Sequence, residues 1–378
     1  MTHPNDAALV DALARLPEDS LALLTQHRFN RDWLLTQARL SRAGKRSNFV
    51  TGSLEAPRES DVMDVEQLSS EERARYQELG EQALRSGQCA LVVLAGGMAT
   101  RMGGVTKALV PVFDGKTFLD LRLSEQRSLA KRYGKTPPLW LMTSHATHQG
   151  IEDAIGEQLD GFDIALFRQS LSVRLDQDFQ LFLDQGEPSL HSPGHGDLPE
   201  SLKASGLLTR FVADGGRYAL VTNLDNLGGG LDPVLIGWHM SHGAPVTCEV
   251  VDKVGSDRGG IPIVVDSKLV VLEEFRIPPT FDPSQVRVFN VNSFAFDARA
   301  LDELEMDWTY FEVTKKVGDH PVIQYERLIN EVTSHLLTKY VRVAREGVSS
   351  RFMPVKDYDE LAARRDALKA LASARGMI

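Results

Sequence analysis

Residues 6–42 alternate apolar and polar positions at helical spacing, as in ALVDALARL and WLLTQARL. With Asn5, Asp6 and Ser20 placed as N-caps, this predicts a helical lead. The stretch 43–68 loses that period and gathers turn formers. Ser70-Glu71-Glu72 then opens a helix to about Arg85, which Gly87 stops. From there the texture changes to short β-branched apolar runs at 89–94 (CALVVL), 139–142 (LWLM), 163–167 (DIALF), 218–222 (YALVT) and 246–251 (VTCEVV), with helical stretches such as 117–133 and 198–213 between several of them. Strand–helix alternation of this kind predicts a mostly parallel sheet covered on both faces, and such sheets bind ligands at the carboxyl ends of their strands. The pattern IPIVVDSKLVVLEEFR at 261–276 predicts an antiparallel hairpin around Asp266-Ser267, and the tail 357–378 an amphipathic helix. No internal repeat or low-complexity tract is visible.

A length of 378 residues suits roughly two domains, and 42% hydrophobic residues rule out disorder as the global state. Lys and Arg number 42 against 52 Asp and Glu, a net charge of −10. That balance argues against a broad electrostatic grip on nucleic acid or anionic lipid, while leaving room for a local basic pocket. The first twenty residues carry acids early and no unbroken apolar core, and no stretch approaches the roughly 18 apolar residues of a membrane span. A cytoplasmic protein with neither nucleic acid nor membrane as partner is expected. Cys89 and Cys248 sit in separate apolar runs, as buried free thiols do.

CALVVLAGGMATRMGG at 89–104 is a buried strand running into a glycine-containing loop, where missing Cβ atoms let main-chain N–H groups approach a phosphate or a base. The spacing is neither that of a P-loop nor G-x-G-x-x-G, so on glycine content alone a nucleotide loop and a plain tight turn stand level. The order L-A-G-G-x-x-T-R-M-G, followed by Lys107 and the apolar ALVPV, is more specific and resembles the nucleotide loop of sugar-phosphate nucleotidyltransferases. The resemblance implies that Leu94, Gly96 and Gly97 wrap the nucleotide while Arg101 and Lys107 counter its charge. Two positions depart from the usual pattern: Ala99 stands where glycine is common, and Thr106 where proline usually precedes the lysine.

HSPGHGD at 191–197, just before a helix expected to be capped near Asp197, resembles the base- and sugar-facing loop of eukaryotic-type UDP-glucose pyrophosphorylases. That places Gly194 and His195 on the uridine. The related UDP-N-acetylhexosamine enzymes carry P-D-G-N-G-G instead, so the loop favours a hexose without the acetamido group. YALVTNLDNLGGGLDP at 218–233 is a buried strand ending in a carboxylate. An Asp-Asn-Gly cluster by itself is most often a turn, yet a strand-end carboxylate beside phosphates also suits Mg2+, which prefers one or two hard protein oxygens plus substrate phosphates. The order N-x-D-N-L-G resembles the same family and implies Asp225 as metal ligand and Asn223 as a sugar or phosphate contact.

SSRFMPVK at 349–356 resembles the family's second phosphate-binding lysine segment, S-R-F-x-P-V-K, and VIQYERLINEVTS at 322–334 resembles the V-I-Q-x-E helix before it. Lys356 would then meet Lys107 across the nucleotide. FRQS at 167–170 resembles F-N-Q-S, whose glutamine reads the uracil, giving Gln169. EVVDKVGSDRGG at 249–260 and VFNVNS at 288–293 resemble sugar-side segments, giving Gly259, Gly260 and Asn292, with Asn290 a lesser candidate.

These motifs agree in order from about residue 91 to 356, so the chain resembles a eukaryotic-type UDP-glucose pyrophosphorylase, a UTP:glucose-1-phosphate uridylyltransferase. The implied α/β fold is a Rossmann-like mixed, mostly parallel sheet flanked by helices, of the nucleotide-diphospho-sugar transferase type. Residues 1–86 form its N-terminal helical segment, 87–340 the catalytic domain, and 341–378 a short C-terminal segment with Lys356 and a terminal helix. Family members commonly continue into a left-handed β-helix; this chain stops about 20 residues after Lys356, so no β-helix domain and a monomer or weak dimer are expected. The implied reaction transfers UMP from UTP to a sugar 1-phosphate with Mg2+, using Arg101, Lys107 and Lys356 as catalytic cations. Glucose 1-phosphate is the favoured acceptor. Galactose 1-phosphate, N-acetylglucosamine 1-phosphate, or a non-catalytic UDP-sugar sensor remain the alternatives.

Overall fold

A computed structural model describes residues 4–44, 47–156, 163–255 and 257–378. The apolar runs become eight strands of one sheet: β1 Val62–Asp64, β2 Cys89–Leu94, β3 Leu139–Thr143, β4 Ile164–Arg168, β5 Tyr218–Asn223, β6 Val246–Asp252, β7 Val288–Asp297 and β8 Thr338–Arg342. Their order is β1-β8-β6-β7-β5-β2-β3-β4. The two ladders made by β7 are antiparallel and the other five parallel, so the expected mixed, mostly parallel sheet is what forms. The helices are α1 Pro4–Ala14, α2 Glu18–Gln26, α3 Arg31–Arg42, α4 Ser70–Arg85, α5 Phe118–Tyr133, α6 His145–Ile155, α7 Leu198–Ser205, α8 Leu207–Ala213, α9 Pro233–His242, α10 Ala298–Asp302 and α11 Tyr358–Ala374.

Strand alternation sorts the core into two layers. Val92, Trp140 and Val221 pack on one face with Leu202 of α7 and Leu208 of α8. Leu91, Val93 and Leu141 face the other way, onto Phe118 and Leu121 of α5 and Leu368 of α11. Both faces are covered, which is why the strands read as unbroken apolar runs. A third cluster sets Leu9, Leu24 and Leu34 of the first three helices against Leu171, Val173, Ile323 and Tyr325. Two later elements of the 1–86 segment belong to the main body: β1 is a sheet strand, and α4 crosses α9 where an added Cβ at Gly80 or Gly237 would overlap the other helix's backbone.

Several local expectations change. Asn5 and Asp6 lie inside α1 and Ser20 inside α2; Pro4 and the Glu18-Asp19 pair suit earlier helix starts. The observed cap in this region is Asn30, whose side chain accepts the Trp33 N–H at 2.9 Å. The 198–213 helix is divided at Gly206, which has φ 73°. Residues 322–326 are strand, not helix: His320–Glu326 pairs with Phe311–Val317, because consecutive Val322-Ile323-Gln324-Tyr325 must bury side chains in two directions. A 3-10 turn, Ile329–Ser334, follows. The antiparallel hairpin forms around Asp266-Ser267 as expected, but only over Ile261–Val265 and Lys268–Leu272, with Glu274–Arg276 a 3-10 turn; Asp266 and Ser267 have φ 45° and 70°, the signs a tight mirror-image turn requires. Both cysteines are buried and free. Among the described residues no helix is long and apolar enough to cross a membrane.

Candidate functional site

Strands β2, β3, β4 and β5 end side by side, and their carboxyl ends open onto a cavity of about 510 Å3. From β2 the chain passes Leu94 into the glycine loop. An added Cβ at Gly96 would come within 2.6 Å of Gln169 Oε1 and 3.3 Å of the Ser144 nitrogen, so a side chain there would push Gln169 aside, whereas Gly97 faces open space. The loop then folds into a small hairpin, Met98–Ala99 against Val105–Thr106, and returns to the cavity at Lys107. Both sequence departures are absorbed. Ala99 has a negative φ that alanine tolerates, and Thr106 at φ −59° holds the angle proline would impose.

From the end of β5, Asp225 meets Lys107 in a 2.5 Å ion pair, both side chains largely buried. Asp225 Oδ1 has no hydrogen-bond partner among the described residues. Opposite them, Gln169 follows β4 and donates from Nε2 to Gly194 O at 2.7 Å. Gly194 and Gly196 let their loop lie directly on the Arg327–Leu328 backbone, where a Cβ would intrude to 2.8 Å or less. Asp197 does not cap the following helix. Its buried carboxylate takes the Ser170 N–H and hydroxyl and the Ser201 hydroxyl, each at 2.6 Å, and pairs with Arg327, which ties the loop to the segment after β4. His195 Nδ1 accepts the Ile329 N–H at 3.1 Å, so Nε2 carries the ring proton. Burial lowers the His195 pKa to about 4, keeping the ring neutral near pH 7.

A polar chain leaves the cavity on the Asn223 side. Asn292, at φ 57° beside an irregularity in the β6–β7 ladder, donates to Asn223 Oδ1 at 2.8 Å. Asn290 Oδ1 accepts the Asn292 N–H, and the Asn290 N–H reaches Gly260 O at 2.8 Å. Next to Gly260 lies Glu273, which accepts from Asn330 Nδ2 at 3.3 Å. Burial, with Glu331 and Glu274 nearby, lifts the Glu273 carboxyl from 4.5 to about 7.

The cavity therefore gathers Leu94, Gly96, Gly97, Lys107, Gln169, Gly194, His195, Asn223 and Asp225. Asn292 and Gly260 attach through the polar chain, with Gly259 adjoining. Two expected cations lie elsewhere. Arg101 is exposed on the loop hairpin, and Lys356 is exposed just before α11, its N–H on the Glu360 carboxylate. Ser144, His145, Arg174, His191 and Gln324 also line the cavity but were not singled out from the sequence. Ser144 and His145 were findable, since they sit where β3 ends and α6 begins. Arg174, whose Nε donates to Gln324 Oε1 at 2.9 Å, arrives through tertiary packing that leaves no local signal.

The family profile described as UTP--glucose-1-phosphate uridylyltransferase matches residues 33–374. The chain belongs to this family. It is 31% identical over 304 residues to the UTP--glucose-1-phosphate uridylyltransferase of Encephalitozoon cuniculi, an alignment covering 76% of this chain and 61% of that protein. The chain thus spans about three fifths of the length of the curated relatives it matches. In fold it resembles the UDP-glucose phosphorylase of Trypanosoma brucei, with a TM-score of 0.76 at 23% identity, covering 96% of this chain and 79% of that one. A variant of Leishmania major UDP-glucose pyrophosphorylase in complex with UDP-glucose gives a TM-score of 0.72 at 19% identity, with the same coverage.

Proposed function

We propose that this member of the family transfers UMP from UTP to glucose 1-phosphate, releasing UDP-glucose and pyrophosphate. One observation carries the reading: Lys107 from the end of the glycine loop and Asp225 from the end of β5 meet and face a cavity walled on one side by that loop and on the other by Gln169 and Gly194. The P-G-H-G-D loop and the names of the relatives favour glucose as the sugar.

In the proposed reaction an oxygen of the sugar phosphate forms a bond to the α-phosphorus of UTP in line with the bond to the β-phosphate, which breaks. A phosphate monoester is already a nucleophile near neutral pH, so the protein's task is alignment and charge neutralisation. Loop amides around Gly96 and Gly97 receive the polyphosphate, with Arg101 swinging in from the loop hairpin. Lys107 leaves Asp225 for phosphate oxygens, and Lys356 approaches from the C-terminal segment. Gln169, Gly194 and the Nε2–H of His195 hold the uridine. Asn223, Asn292, Gly259 and Gly260 take the sugar.

Mg2+ fits Asp225: the unpartnered Oδ1 is a hard donor, and Mg2+ takes one or two protein oxygens with substrate phosphates supplying the rest. When bound, Mg2+ would supply further neutralisation of phosphate charge. The same proposal includes a cytoplasmic setting, to which two buried free thiols are suited, and a monomer or weak dimer as the working state.

The test is pyrophosphate release from UTP, dTTP and ATP against several sugar 1-phosphates, with and without Mg2+. Glucose 1-phosphate with UTP and Mg2+ should give the highest kcat/KM. Stabilisation by UDP-glucose with no pyrophosphate release from any pair would identify a sensor instead.

A further inference from the structure

Asp225 and Lys356 come from distant parts of the chain, and one buried side chain joins the segments that carry them. Asn226 spends both ends of its amide on the backbone of the later segment: Nδ2 donates to Arg351 O and Oδ1 accepts the Met353 N–H, each at 2.9 Å. It stands in for the main chain of a neighbouring strand. The approach is close enough that an added Cβ at Gly228 would lie 2.7 Å from Ser350 O.

Two buried guanidiniums hold the assembly. Arg122 donates to Asn226 O at 2.6 Å and Gly229 O at 2.7 Å while pairing with Glu125. Arg351 donates to Gly230 O at 2.9 Å and grips Glu249 through two 2.6 Å contacts. Burial works against the charge on Arg351, but the Glu249 carboxylate, together with Asp232 and Glu125, outweighs it and raises the pKa. None of these side chains lines the cavity. Three residues of chain, at most ~11 Å, separate Met353 from Lys356. Where Met353 is fastened therefore limits where the Lys356 ammonium can act.

We propose that Asn226 is a positioning residue, whose two-ended clamp on Arg351 and Met353 sets Lys356 against the Asp225 loop so that the Lys356 ammonium reaches the polyphosphate bound there. This rests on the transferase reading above.

The experiment is a double-mutant cycle of Asn226→Ala and Lys356→Ala, with kcat from pyrophosphate release and UTP affinity from calorimetry. Asn226→Ala should lose about tenfold or more in kcat, keep UTP affinity within about threefold, and add less than about twofold to the loss in Lys356→Ala. Multiplying losses in the double variant, or an affinity loss as large as the kcat loss, overturns the clamp. Asn226→Asp, of equal size but with a carboxylate oxygen set against Arg351 O, carries the same cycle should the alanine variant not fold. Wild-type kcat in Lys356→Ala removes Lys356 from the chemistry. Wild-type kcat in Asn226→Ala beside a crippled Lys356→Ala removes only the clamp.

Discussion

Lys107 and Asp225 occupy each other, and the proposed reaction needs Lys107 to turn to phosphate and Asp225 to be free for Mg2+. Each variant should therefore lose more than a surface charge: Lys107→Ala and Asp225→Asn are expected to cut kcat on the order of 100-fold, as removal of one preorganised electrostatic group does. Pyrophosphate release measures both. Near-normal turnover in either would take that residue out of the mechanism. Glu273 allows a pH test independent of turnover. Its folded pKa of about 7 exceeds the 4.5 of an unperturbed carboxyl, so the native state binds the proton more tightly. Stability is then retained below pH 4.5 and lost as pH rises through about 7. Glu273→Gln should raise Tm relative to the parent at pH 8 and have little effect at pH 5. Equal shifts at the two pH values would show that Glu273 does not titrate in that interval.

Among the elements, α4 and α9 cross backbone to backbone, because Gly80 and Gly237 each let the partner helix's backbone approach where a side chain would stand. A methyl group at Gly237 would overlap Tyr76 O, and backbone does not yield as a flexible side chain does. Gly237→Ala should lower Tm by several degrees, at a cost of about 1–3 kcal/mol, with UTP affinity nearly unchanged since neither helix lines the cavity. Calorimetry with and without UTP separates the two effects. The crossing was not legible beforehand: glycine within a helix marks low propensity, and only the packed pair gives the reason for it.

Across the whole molecule, the three N-terminal helices reach the site indirectly. Leu34, fully buried, belongs to the cluster containing Leu171, and Leu171 also lines the cavity. Leu34→Ala should cost about 2–5 kcal/mol of stability. It should also loosen the wall beyond Gln169, raising the KM for UTP several-fold with kcat largely preserved, and steady-state kinetics would read the split. An unchanged KM would restrict these helices to stability alone.

Strand–helix alternation and the apolar runs determined the sheet, its mostly parallel sense and the edge where the cavity opens, because period and burial are written locally. Motif order likewise marked Gly96, Lys107, Gln169, Gly194 and Asp225, all of which the fold brings to one cavity. Tertiary structure alone decided that Val322–Tyr325 is strand, that Asp197 braces a loop rather than a helix end, and that Arg174 and Gln324 share the cavity wall. It also set Lys356 outside the cavity, leashed through Asn226. Each of these depends on a partner far along the chain, and a sequence read locally records which groups are present but not which of them fold together.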